Sequence, residues 1–174
     1  MRSTLFFLAL FPVLAAAQTS PQQPHPQKVL TPEQIASAAY TAEMAREKAG
    51  DCPNAKSTYA INMCLAHEDE LTGANLKAFA AAIRAMLAPA SPGEPEEPYI
   101  GPTGTAATPA TNTAAFDKAQ AAWQAYATAE CDAVDTYWRG GTIVNSMDGE
   151  CSIRMSRARL HELNSAYDNL LHPH

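Results

Sequence analysis

The sequence is poor in the residues that build sheets: Val and Ile together fill 10 of 174 positions, while Ala alone fills 35. The 47% hydrophobic content therefore rests on the strongest helix former, which excludes an all-β fold and predicts an all-α one. Basic residues are also scarce, 12 Lys plus Arg against 18 Asp plus Glu for a net charge of −6. A nucleic-acid binder needs a clustered positive face to displace phosphate counterions, so that class is excluded, and any electrostatically steered partner is basic. Phosphate-cradling glycine loops and the G-x-S-x-G elbow are missing too. The string His67-Glu68-Asp69-Glu70-Leu71 starts like a zinc-protease helix but carries Leu71 where the second His is needed. His172 and His174 read as a frayed terminus, and nothing promotes His161 or any Ser to a nucleophile–base pair. No catalytic residue, metal site or cofactor is expected.

Long apolar runs are confined to residues 5–17, which follow the single charge of Arg2 and end in Ala15-Ala16-Ala17 before polar Gln18. This is the order of a secretory signal, and 13 residues at 1.5 Å each are too short to cross roughly 30 Å of hydrocarbon. Cleavage after Ala17 would remove one basic residue and leave a mature chain of charge −7 with no transmembrane segment, periplasmic or secreted.

Cysteines are few but even in number: Cys52, Cys64, Cys131 and Cys151. In an oxidising compartment an even set implies disulfides, and no pair has the spacing of a zinc site or of covalent haem attachment. Three pairings are open. The local one, Cys52–Cys64 with Cys131–Cys151, is favoured because it gives each half of the protein one bridge, each contributing about 3 kcal/mol.

Residues 18–30, rich in Pro and Gln, read as a flexible leader. Thr31, Pro32 and Gln34 form a helix start with a capping box, followed by Ile35, Ala38, Ala39, Ala42 and Ala45 at helical spacing up to Gly50. The Cys52–Cys64 pairing requires residues 52–56 to fold back, because twelve helical residues would span about 18 Å. Ser57 then caps a second helix, with a stripe of Leu76, Phe79, Ala80, Ile83 and Leu87 and a kink expected at Gly73. Six prolines lie in residues 88–112, which read as a long Pro-rich disordered insert. A third helix carries Phe116, Ala119, Trp123, Tyr126, Ala127, Val134 and Tyr137 and stops at Gly140-Gly141. A fourth is expected from about Cys151, presenting Leu160, Leu163, Tyr167, Leu170 and Leu171. Two helical hairpins forming one bundle over residues 31–171 result, because each half alone would be a marginal core.

Candidate contacts are the acidic run Glu68, Asp69 and Glu70, which reads first as a solvated helix face and second as a surface for a basic partner, and Trp138 beside the double glycine. Arg154, Arg157 and Arg159 form the basic cluster, expected to pair with Glu130, Asp132, Asp135, Asp148 and Glu150 within the third and fourth helices.

DCPNAKSTYAINMC at 51–64, AQAAW at 119–123, AEC at 129–131, RGGT at 139–142, and Cys151 with Ser156, Arg159 and Leu163 together resemble the lysozyme inhibitor LprI-like N-terminal family over residues 50–166. Asp51, Cys52, Ala55, Ser57, Asn62 and Cys64 fit its first motif, and Gln120, Trp123, Glu130 and Cys131 its second, with Gly140 and Gly141 between that and Cys151. The chain departs at Ala60, where the family has a capping Glu, and at Ala127-Thr128, where it has Arg-Asp. The resemblance implies an exported helical protein of the bacterial envelope that acts by binding. A basic lysozyme is the named candidate partner. A scaffolding role with another protein or the cell wall is the alternative, and the oligomeric state is left open.

Overall fold

The computed structural model describes residues 29–88, 99–100 and 106–172; the expected signal segment and nearly all of the leader lie outside them. Helix α1 (Pro32–Ala49) begins as the sequence predicts. The Thr31 hydroxyl accepts from the Gln34 N–H, the Gln34 side chain accepts from the Thr31 N–H, and Pro32 fills the first turn. Gly50 ends it at φ 77°. Residues 52–56 fold back with Cys52 itself at φ 53°, and Ser57 caps α2 (Thr58–Leu87) through the Ala60 N–H. Gly73 does not interrupt the helix: α2 runs unbroken through it.

The insert is shorter than predicted. Tyr99–Ile100 (β1) pairs antiparallel with Ala106–Ala107 (β2), and α3 (Pro109–Trp138) starts inside the expected loop. Its start repeats that of α1: Thr108 caps, Pro109 follows, and the Thr111 hydroxyl closes the box by accepting from the Thr108 N–H. Helix α4 (Val144–Ala166) begins seven residues before Cys151, and a single turn, α5 (Asp168–Leu171), completes the chain. No side-chain cap at Ile143 marks this start, and a glycine inside a helix ordinarily weakens it. Gly149 has a packing role instead: a Cβ there would lie 3.3 Å from Leu65 Cβ, so the glycine lets α2 and α4 approach closely.

Helices α2 and α4 run side by side and parallel. The Ser146 hydroxyl donates to Asn62 Oδ1 (2.6 Å) and the Ser152 hydroxyl to Asp69 Oδ1 (2.5 Å), so the two chains advance in step. Helix α1 packs antiparallel on α2 at one flank and α3 antiparallel on α4 at the other, giving a four-helix all-α bundle of two hairpins. Both favoured disulfides are present, with Cα separations of 5.9 Å for Cys52–Cys64 and 5.7 Å for Cys131–Cys151.

The main core gathers Leu76, Phe79 and Ile83 of α2, Phe116 of α3, and Leu160 and Leu163 of α4. Tyr40 lies against Phe79, and Phe116 meets Tyr167 edge-on with centroids 5.6 Å apart. Two stripes differ from expectation. In α1 the buried residues are Ala36, Ala39 and Glu43, with Ile35 exposed, because burial of Glu43 sets the helix rotation. In α3 Ala119, Tyr126 and Tyr137 face solvent, and the inward line runs through Phe116, Gln120, Trp123 and Ala127.

Candidate interaction surfaces

The centre of the bundle is ionic. Glu43 and Thr72 are fully buried. Glu43 Oε1 accepts from the Thr72 hydroxyl (2.9 Å) and from Arg157 Nε (2.8 Å), and Oε2 from Asn75 Nδ2 (2.8 Å). Arg157 turns its other two nitrogens on Asp51, in a bidentate pair at 2.7 and 2.8 Å. Burial pushes the Glu43 carboxyl up, but the hydrogen bonds from Asn75, Arg157 and Thr72 and the Arg157 charge outweigh it and hold the group below its ordinary range. Burial likewise works against the Arg157 guanidinium, and the bonds to Asp51 and Glu43 raise it further above its usual value. Arg46 adds a third link, to the Glu68 carboxylate and its backbone carbonyl (3.0 Å).

This arrangement corrects the predicted arginine pairing. Arg157 reaches α1 and the loop after it rather than the acidic residues of α3 and α4. Arg159 donates to Gln120 and to Glu162 (2.8 Å), and its guanidinium lies 5.8 Å from the Trp123 ring centroid. Arg154 lies against the sulfurs of Met155 and Cys151.

The motif residues thus fall into two sets. Gln120, Trp123 and Arg159 meet as one cluster between α3 and α4, while Asp51 and Asn62 are joined to α4 through Arg157 and Ser146. Gly140 has φ 88°, which favours glycine, and a Cβ on Gly141 would lie a tight 3.1 Å from the Trp138 carbonyl oxygen, so the turn out of α3 suits glycine at both. Trp138 is half-buried with Tyr137 packed edge-on against it. The acidic run is not a uniformly free face: Glu68 is bound to Arg46 and Asp69 to Ser152, while Glu70 is exposed. Glu43, Thr72, Asn75 and Arg157 carry the buried network; in sequence Arg157 stands out only as part of the basic cluster, and the other three only as isolated polar residues.

Several recesses open on the surface. A cleft of about 600 Å³ at the disulfide end has Cys52 and Cys151 in its walls, with an apolar floor of Ile61, Leu65 and Val134 and the mixed charges of Asp51, Glu150, Arg154 and Arg157. A groove of about 580 Å³ lies between α2 and α3, where the two helices touch only sparsely because Gly73, Ala80 and Ala81 on one side are too small to fill the gap. It runs into a recess of about 240 Å³ that shares Asp69, Trp123 and Ser152 and extends to Asp132 and Asp148. Asp148 is raised above its ordinary value, first by partial burial and then by repulsion from Asp135, Asp69 and Asp132.

These elements make a small four-helix domain, stapled at one end by two disulfides, with surface recesses and a buried ionic network. Residues 49–163 match the family described as lysozyme inhibitor LprI, and the chain belongs to that family. No curated protein and no solved structure matches it.

Proposed function

We propose that this protein is an exported binding protein of the bacterial envelope, periplasmic or secreted, that inhibits lysozyme by occupying it. Membership of the LprI lysozyme inhibitor family carries this reading. Three features support it. The two disulfides suit an oxidising compartment outside the cytoplasm, and among the described residues no helix is long and apolar enough to cross a membrane. The acidic balance of the chain complements the strongly basic surface of animal lysozymes, and opposite charge speeds encounter. Inhibition by occupancy needs no reacting group on the inhibitor.

The test is lysis of a peptidoglycan suspension by an animal-type lysozyme, titrated with the mature oxidised protein and repeated after reduction. Saturable inhibition that disappears on reduction is expected. An unchanged lysis rate at tens of micromolar folded protein would overturn the inhibitor reading and favour the scaffolding alternative.

A further inference from the structure

We infer that the groove between α2 and α3 is the surface that docks the basic partner, taking a lysine or arginine side chain of the lysozyme with its stem along Trp123 and Leu76 and its cationic head among Asp69, Asp132 and Asp148. The inference rests on the inhibitor reading and adds to it a place and a chemistry of contact.

The groove has apolar walls between an acidic end at Asp69 and an opposite end where Arg84 is paired with Asp117 across it at 2.7 Å, with Lys77 on its α2 side. Leu76, Phe116 and Trp123 provide walls, and the small residues of α2 leave the width. At the far end Asp69, Asp132 and Asp148 converge with little to neutralise them. Among the described residues, no Lys, Arg or His lies within ion-pair distance of any of the three. Asp69 spends one oxygen on Ser152 and keeps acceptor capacity free. Neighbouring Asp135 is held by Arg139 at 3.1 Å, so the cation nearest along α3 is already engaged. A long cationic side chain fits both parts of this surface, because its methylene stem covers apolar walls while its head stays among the carboxylates. The cleft at the disulfide end lacks this complementarity, since Arg154 and Arg157 offset Asp51 and Glu150 there.

Binding is read with the full mature oxidised chain against an animal-type lysozyme, in three forms: wild type, D132N/D148N, and E33Q/D168N. The last pair removes the same charge from the opposite end of the bundle. Hydrogen exchange of the wild-type complex supplies the footprint. The groove predicts that D132N/D148N weakens affinity about tenfold and flattens the salt dependence, that E33Q/D168N changes affinity less than about twofold, and that protection appears on α2 near residues 69–80 and on α3 near 120–132. Equal weakening by both pairs would reduce the effect to overall charge and overturn the groove. Protection confined to the end of the bundle carrying Tyr59 and Tyr137 would do the same while leaving inhibition intact. Failure of the wild type to bind lysozyme would overturn the inhibitor reading, and the groove's role with it.

Discussion

The protein holds two groups of acidic side chains that differ in what neutralises them. At the bundle centre Glu43 and Asp51 share Arg157, and every carboxylate oxygen has a donor at 2.7–2.9 Å. At the end of the α2–α3 groove, Asp69, Asp132 and Asp148 face one another, and Asp148 is raised first by partial burial and then by repulsion from Asp135, Asp69 and Asp132. The first group ties α1, the loop after it, α2 and α4 together, so its ionisation stabilises the fold. The second works against the fold, and a surface that keeps repelling charges is one that an external cation can relieve.

Breaking the central pair gives the largest effect. Arg157→Met takes from the buried Glu43 its nearer cation and leaves only Arg46 at 3.4 Å, and a loss of about 3–5 kcal/mol is expected in urea unfolding. The double variant E43L/R157M should recover a large part of that loss, since an apolar pair avoids an uncompensated buried charge. Additive losses would mean that Glu43 and Arg157 do not act as a unit.

Next come the staples. Removing either disulfide as a Cys→Ala pair should lower stability by about 3 kcal/mol. Loss of Cys52–Cys64 should also weaken the Asp51–Arg157 pair, because Asp51 is the residue before Cys52 and is placed by the same folded-back loop. A double-mutant cycle between Asp51→Asn and the C52A/C64A pair should therefore show coupling, whereas D51N with C131A/C151A should add independently.

Acid provides a third, smaller contrast. The folded Glu43 carboxyl lies below its ordinary value of 4.5, so its contribution is present above that pH and is lost as pH falls through the folded value. Thermal unfolding across pH 3–6 should show a drop on the acid side that E43Q flattens. A wild-type acid limb identical to that of E43Q would remove Glu43 from the account.

Local rules were legible in the sequence, and long-range ones were not. The Thr31 capping box and the Ser57 cap depend on residues close in the chain and are fixed by local geometry, while the disulfide pairing, open among three in the sequence, is the local one favoured there, with the fold-back before Cys64 that it requires. The same Thr-Pro start at Thr108-Pro109 was equally readable but was masked by the prolines before it. The rotation of α1 was not readable, because alanines lie all round that helix and Glu43 joins the core only when Arg157, 114 residues later, is present to meet it. Gly149 failed for a related reason: a glycine that admits Leu65 looks in sequence like one that ends a helix. The family motif marked Asp51 and Arg159 but not Arg157, and the groove follows from the spacing of α2 and α3, which no pattern within either helix encodes.

The smallest expected effect separates the two acidic groups most cleanly because its sign is reversed. Asp148 has a folded value above the unfolded one, so folding favours its protonated form. Its contribution is favourable at low pH and turns against the fold as pH rises through the folded value. At neutral pH Asp148→Asn should therefore raise stability by a few tenths of a kcal/mol, the scale of exposed charge effects, whereas D51N in the central group should lower it. If the groove docks a cation, the same D148N that steadies the fold also weakens lysozyme binding, because a bound ammonium or guanidinium relieves the repulsion that the amide has already removed. A variant that melts higher and binds more weakly cannot owe its weaker binding to a damaged fold. Calorimetric melting and lysozyme titration of that one protein check both halves, and a lower melting temperature would place Asp148 among the residues that hold the bundle together.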